Sequence, residues 1–166
     1  MLVLNGSAGI ADVVALADRR EQVSVSARVV EAVDHAHQVA AELSTRFPIY
    51  GRTTGVGANR TMSVSPTDTE YGMRLLRSHA VDAGDPLDDR TVRAMLAVRL
   101  AQLCVPGAGL DPRILSGLEA MLNDDALPEL RQYASIGTGD LAPLAGTALT
   151  LIGERPASKP LTPMEP

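Results

Sequence analysis

Three stretches of this 166-residue chain carry residue types that could do chemistry. The first reads Tyr50-Gly51-Arg52-Thr53-Thr54-Gly55-Val56-Gly57-Ala58-Asn59-Arg60 and has neither a helical nor a strand period. Its glycines permit tight turning and close backbone approach. Tyr50 is a candidate acid or base. A phenol titrates near ~10 in water, so basic action at neutral pH needs a nearby cation or hydrogen-bond donor, with Arg52, Arg60 and His79 as the candidates. The spacing is not a dinucleotide fingerprint, because no βαβ unit frames it, and no Gly-Lys-Ser/Thr follows as in a phosphate loop. The second stretch, Leu75 to Ala80, places His79 at the end of a helical segment. The third runs from Ser135 to Ala145, where Gly137-Thr138-Gly139 precedes Asp140. Asp140 can cap the helix that follows, and amides at a helix start favour an anion. Each has a plainer reading: a surface loop, a structural histidine, a simple turn. Tyr50 could equally plug the core with its ring.

The elements that must hold these stretches are helical for the most part. Leu2-Val3-Leu4 with Asn5-Gly6 predicts a short strand and turn. Ser7 or Asp12 could cap a short helix through Arg19. The stripe Val29, Val33, Ala36, Ala40 and Leu43 predicts a helix over Val23–Arg46, ended by Phe47-Pro48. A helix is expected from Ser65-Pro66-Thr67-Asp68 to about Ala83, where Ala83-Gly84-Asp85-Pro86 stops it. Asp88 or Asp89 starts another, with Val92, Met95, Leu96, Arg99, Leu100 and Leu103 on one face. Asp111 as N-cap and Pro112 in the first turn start a third, faced by Ile114, Leu115, Leu118, Met121 and Leu122. Asn123 to Arg131 is a polar, Pro-containing segment, and Tyr133 to Gly139 is irregular. The last helix runs from Leu141 to about Gly153, with Pro143 tolerated in its first turn. Four prolines in Arg155–Pro166 predict an extended or disordered tail. The class is therefore mainly α: a helical domain over 1–154 with short strands and two glycine-rich loops, then a Pro-rich tail over 155–166.

Composition excludes several functions. The net charge is −5 with no basic stripe, so nucleic acid is not an expected partner. No apolar run is long enough to span a bilayer, so no membrane partner is expected either. The start has no secretory signal, and a cytoplasmic protein is the default expectation. Cys104, the single cysteine, lies in an apolar run and reads as a buried filler. His35 and His37 lie two apart on a helix and face different directions, so no metal pair forms. No metal is expected. Aromatic residues make up only 2% of the chain, so Leu, Val, Ile, Ala and Met must build the core.

Taken together and in order, the three stretches resemble the histidine and phenylalanine ammonia-lyase family. Tyr50-Gly51-Arg52-Thr53-Thr54-Gly55-Val56-Gly57 looks like its Tyr-Gly-x-x-Thr-Gly-Phe-Gly loop. Leu75 to Ala80 resembles its Leu-x-x-Ser-His segment, and Gly84-Asp85-Pro86-Leu87 follows where the family has Gly-x-Pro-Leu. Val92-Arg93-Ala94 and Arg99 are similar to its next helix. Gly139-Asp140-Leu141-Ala142-Pro143-Leu144-Ala145, then Leu151-Ile152-Gly153-Glu154, resemble its strongest signature. The similarity covers almost the whole chain and the family's N-terminal part.

In that family an internal Ala-Ser-Gly cyclises and loses water to give a methylidene-imidazolone, an electrophile that labilises the substrate amine. By position, the resemblance implies Tyr50 as acid/base, His79 as a substrate contact and Asp140 as the aspartate after the triplet. Three departures follow. The triplet here is Gly137-Thr138-Gly139, so Thr138 stands where the alkene-forming serine would be, and Gly137 loosens the backbone compression that favours ring closure. Dehydration of Thr138 to a methyl-substituted alkene remains chemically open, but no cofactor is expected. The chain stops soon after Glu154, whereas the family continues into a helical bundle that supplies further site residues. Val56 replaces a Phe, Arg52 adds a charge beside Tyr50, and Ala101 replaces an Asn. The expected function is a truncated lyase-like enzyme that uses Tyr50, His79 and Thr138 on a small specialised metabolite. Arg52, Gly57 and Asp140 contact the substrate in that reading, and elimination, addition, isomerisation or cyclisation would all suit it. The alternatives are a subunit of a split lyase or a non-catalytic binding remnant. The expected partner is a second copy or a complementary lyase-like subunit.

Overall fold

The computed structural model describes residues 1–134 and 139–165. The fold is mainly helical, as the apolar periodicity predicts. Two short strands open it: β1 (Leu2–Leu4) pairs in parallel with β2 (Val23–Val25), Leu2 opposite Val23 and Leu4 opposite Val25. Helix α1 (Ile10–Ala17) makes the crossover between them. Its first turn is capped by the Asp12 carboxylate, which accepts the Gly9 N–H at 2.8 Å.

The helix expected over Val23–Arg46 is two elements. Val23-Ser24-Val25 alternates β-branched residues and takes the strand pairing, and α2 (Ala27–Ser44) starts only after Ser26. The helix expected from Ser65 to Ala83 is shorter at both ends. Residues 65–70 form turns, α3 spans Tyr71–His79, and Ala83–Pro86 forms β3 rather than a bare stop. The Asp68 carboxylate accepts Arg74 Nη1 at 3.1 Å, and Glu70 rather than Asp68 takes the N-cap position of α3. Strand β3 pairs antiparallel with β4 (Arg131–Tyr133), so Tyr133, expected at the start of an irregular stretch, ends a strand instead.

The main core is centred on α4 (Asp89–Leu103) and α5 (Arg113–Asn123). Asp88 caps α4, accepting the Thr91 N–H at 3.0 Å. Val92, Leu96, Ala97, Leu100 and Leu103 of α4 interlock with Leu115, Leu118, Met121 and Leu122 of α5, all buried. Asp111 stands one residue ahead of the N-cap position that Pro112 occupies, yet its carboxylate still accepts the Arg113 N–H at 2.9 Å. The segment expected to be polar hides Ala126, Leu127 and Leu130 in the core. Helix α6 (Leu141–Leu151) closes the fold and ends two residues before Gly153.

The tail is extended but seated on the body. Met164 N–H donates to the Leu151 carbonyl at 2.7 Å, Ser158 N–H to the Leu127 carbonyl at 2.8 Å, and Leu161 packs on the core. No helix among the described residues is long and apolar enough to cross a membrane.

Candidate active site

The glycine stretch folds into a closed loop over residues 49–64. The Ile49 carbonyl accepts the N–H groups of Arg52, Thr53 and Thr54 at 3.1, 2.9 and 3.2 Å. Gly55 N–H reaches the Met62 carbonyl at 2.9 Å and Val64 N–H reaches the Thr53 carbonyl at 2.9 Å, which closes the far side. Gly55 is forced here: a Cβ would lie 2.4 Å from the Asn59 carbonyl oxygen. A 3-10 turn, Gly57–Asn59, lies within the loop, with Gly57 at φ +56.

This folding sets Tyr50 directly against Gly57. The Gly57 N–H donates to the Tyr50 hydroxyl oxygen at 2.9 Å, while the phenol ring stays 64% exposed. The donor at the phenol is therefore a backbone amide rather than Arg52, Arg60 or His79. Arg60 instead turns to the Gly57 carbonyl at 3.4 Å. Arg52 is exposed, with its guanidinium 3.9 Å from where a Cβ on Gly109 would sit.

His79 ends α3. Its Nδ1 lies 2.9 Å from the Leu75 carbonyl and 3.1 Å from Ser78 Oγ. A carbonyl only accepts, so Nδ1 donates to Leu75 and Nε2 is the ring nitrogen left for another partner. No hydrogen bond or ion pair among the described residues joins His79 to Tyr50.

Helices α3 and α6 pack together through a small second cluster, in which Met73, Leu76 and Ala80 meet Ala145, Leu149 and Ile152. Polar ties reinforce it. Arg77 grips Glu154 with both ends of its guanidinium, Nε at 2.8 Å. That hydrogen bond holds the Glu154 carboxyl below the ordinary carboxylate range. Arg155 donates to the Ala80 carbonyl. Asp140 takes the N-cap position of α6, where its own carbonyl accepts Leu144 N–H at 3.1 Å and its side chain makes no cap bond. Gly139 precedes it at φ +115. Gly137 and Thr138 lie outside the described residues.

One α3–α6 pair thus carries His79 and leads in from the triplet through Asp140. The glycine loop hangs on the same pair through a residue the sequence reading passed over. Tyr71, in the first turn of α3, donates its hydroxyl to the Thr54 carbonyl at 3.2 Å. A tyrosine at a helix start carries no periodic signal, so only the folded loop reveals this bond. Arg93 was noted only as part of a matching helix, but it is buried and donates to the carbonyls of Leu16 and Leu122.

The chain is similar to known proteins along nearly its whole length. The family model for aromatic amino acid lyases matches residues 8–162. The histidine ammonia-lyase of Streptomyces coelicolor is 35% identical over 163 residues, 95% of this chain and 32% of that protein. The enzyme of the same name from Geobacillus thermodenitrificans is 37% identical over 158 residues, 93% of this chain and 31% of its own. Among solved structures, the ergothioneine-degrading ergothionase of Treponema denticola superposes with a TM-score of 0.89 at 30% identity, over 95% of this chain and 32% of that one. Tyrosine aminomutase of Streptomyces globisporus gives 0.88 at 30% identity, over 99% and 31%. The chain spans about a third of the length of the curated relatives it matches.

Proposed function

This chain belongs to the aromatic amino acid lyase family, and from that premise we propose that it performs acid/base chemistry on a small amine-bearing metabolite. Tyr50 is the acid/base group and His79 contacts the substrate, with Arg52, Gly57 and Asp140 as further substrate contacts. Elimination of the amine, its reverse addition, or an isomerisation or cyclisation that starts from the same proton removal would use these groups alike. The observation that carries the reading is the 2.9 Å bond from Gly57 N–H to the Tyr50 oxygen. It fixes the Tyr50 phenol against the backbone of its own loop while the residue stays exposed to an incoming molecule.

In this reading no methylidene-imidazolone forms. Ring closure and dehydration would have to proceed through Thr138 and Gly137, whose extra methyl and missing Cβ make the alkene bulkier and the backbone looser. When present, that group would supply an electrophile for the amine. Intact-mass spectrometry tests this: the unmodified mass is expected, and a deficit of two waters overturns it. The purified chain should be assayed with histidine, tyrosine and ergothioneine, following amine release and new absorbance. Turnover that disappears in Tyr50→Phe supports the assignment, and turnover unaffected by Tyr50→Phe sinks it.

A second reading, a subunit whose site is completed by another lyase-like chain, is favoured by one feature. Tyr50, Val81, Tyr133 and Leu141 are all exposed, at 64, 69, 73 and 56%. Apolar surface around a candidate site suits a covering partner or a second copy. Turnover that appears only on co-expression with a neighbouring gene product favours this arrangement over a self-sufficient enzyme.

A further inference from the structure

The glycine loop is held almost wholly by itself. The bonds to the Ile49 carbonyl, Gly55 to Met62, Val64 to Thr53 and Gly57 to Tyr50 all lie within residues 49–64. So does the bond from Ile49 N–H to Thr53 Oγ1 at 2.7 Å. Among the described residues, one hydrogen bond ties this loop to a helix of the body: Tyr71 hydroxyl to the Thr54 carbonyl, 3.2 Å. The carbonyl it holds is three residues before Gly57, whose N–H holds Tyr50. The helix that carries Tyr71 also carries His79, eight residues on, and packs on α6.

We propose that Tyr71 is a positioning residue: its hydroxyl, through the Thr54 carbonyl, sets where the Gly57 amide and hence the Tyr50 hydroxyl stand relative to the α3–α6 pair. The proposal rests on the reading of Tyr50 as the acid/base group. The physical reason is rigidity. A loop held only by its own hydrogen bonds can rock against the body, and that rocking opens those bonds, the one from Gly57 to Tyr50 included. A single bond at its waist removes that freedom, while Tyr71, half-buried at the start of α3, is itself anchored by the helix. The turn before α3 adds an ion pair, Arg74 with Asp68, whose two residues both lie outside the loop. Tyr71→Phe deletes the bond and leaves the ring.

The chain has three tyrosines, so tyrosine labelled with 13C at Cζ gives three ring signals, assigned by Tyr50→Phe, Tyr71→Phe and Tyr133→Phe. In Tyr71→Phe the Tyr50 signal is expected to shift or broaden while that of Tyr133 stays in place. Hydrogen exchange at the Gly57 N–H should speed up about fivefold, which corresponds to loss of one neutral hydrogen bond. Tyr133→Phe, the control, should do neither. An unmoved Tyr50 signal with unchanged Gly57 exchange overturns the proposal. So does global unfolding of Tyr71→Phe, because a tether to one loop carbonyl does not hold up the whole fold. These readouts need no substrate. If the tether is found but Tyr50→Phe leaves turnover intact, the assignment of Tyr50 fails and the tether is only structural.

Discussion

Asp125 lies where three parts of the chain converge, and replacing it with Asn is the sharpest test of how they are held. Its carboxylate accepts Arg19 Nε at 2.9 Å from just beyond α1, Arg93 Nη1 at 3.0 Å from α4, and Lys159 Nζ at 2.9 Å from the tail. Burial alone would raise this carboxyl. The hydrogen bonds from Arg19 and Lys159 outweigh it and bring the pKa down from 3.8 to about 2. For Arg93 the balance is the reverse: burial pulls the guanidinium down, and Asp125 offsets that only in part. A depression of about 1.8 units corresponds to about 2.4 kcal/mol of pH-dependent stability. The side chain is 21% exposed, so solvent screening reduces this to about 1–2 kcal/mol. Asn keeps the shape and tolerates the φ of +58 at this position. Asp125→Asn should therefore lower stability by about 1–2 kcal/mol near neutral pH, or about 2–8 °C in Tm for a chain of this size. The folded pKa lies below the unfolded one, so the contribution is fully present above about pH 4 and fades as pH falls toward about 2. Urea unfolding followed by circular dichroism at several pH values checks this. A gap between the two proteins that stays constant below about pH 4, or no gap at neutral pH, refutes the electrostatic account.

Other expectations follow from single contacts. Gly55→Ala drives a methyl group onto the Asn59 carbonyl 2.4 Å away, so the loop must open. Gly57 N–H should lose its exchange protection while the core keeps its unfolding midpoint. Cys104 is 1% exposed, and burial, with the nearby Glu119, pushes its thiol up to about 11. It should resist thiol reagents near neutral pH in the folded protein and react once urea unfolds it; rapid labelling of the native chain would contradict this burial. Leu96→Ala empties a fully buried site between α4 and its neighbours and should cost about 2–5 kcal/mol by urea unfolding.

Much of this fold was legible because period and capping agree. The α4 stripe, the Asp88 cap and the α5 face are all placed where spacing puts them. The failures share a cause. Val23-Ser24-Val25 joins smoothly onto a helical stripe in sequence, and only pairing with β1, twenty residues away, makes it a strand. Ala83–Pro86 and Arg131–Tyr133 are likewise strands only because they meet each other across 45 residues or more of chain. Pairing partners are not written in local pattern, and three- or four-residue strands are too short to show a period of their own.

The candidate site divides in the same way. Tyr50 and Gly57 were legible as members of one glycine-rich loop, but their bond was not, since the donors expected at the phenol were Arg52, Arg60 and His79. What joins the loop to His79 and Asp140 is long-range: a phenol on α3, a carbonyl in the loop, and an apolar contact between α3 and α6. None of these contacts is marked in the local sequence pattern. Tyr50 and His79 stand in recognisable local patterns, whereas a residue that aims them acts through a partner distant in sequence and has no local pattern to mark it. Tyr71 is the clearest case, since its role lies wholly in the bond that it donates.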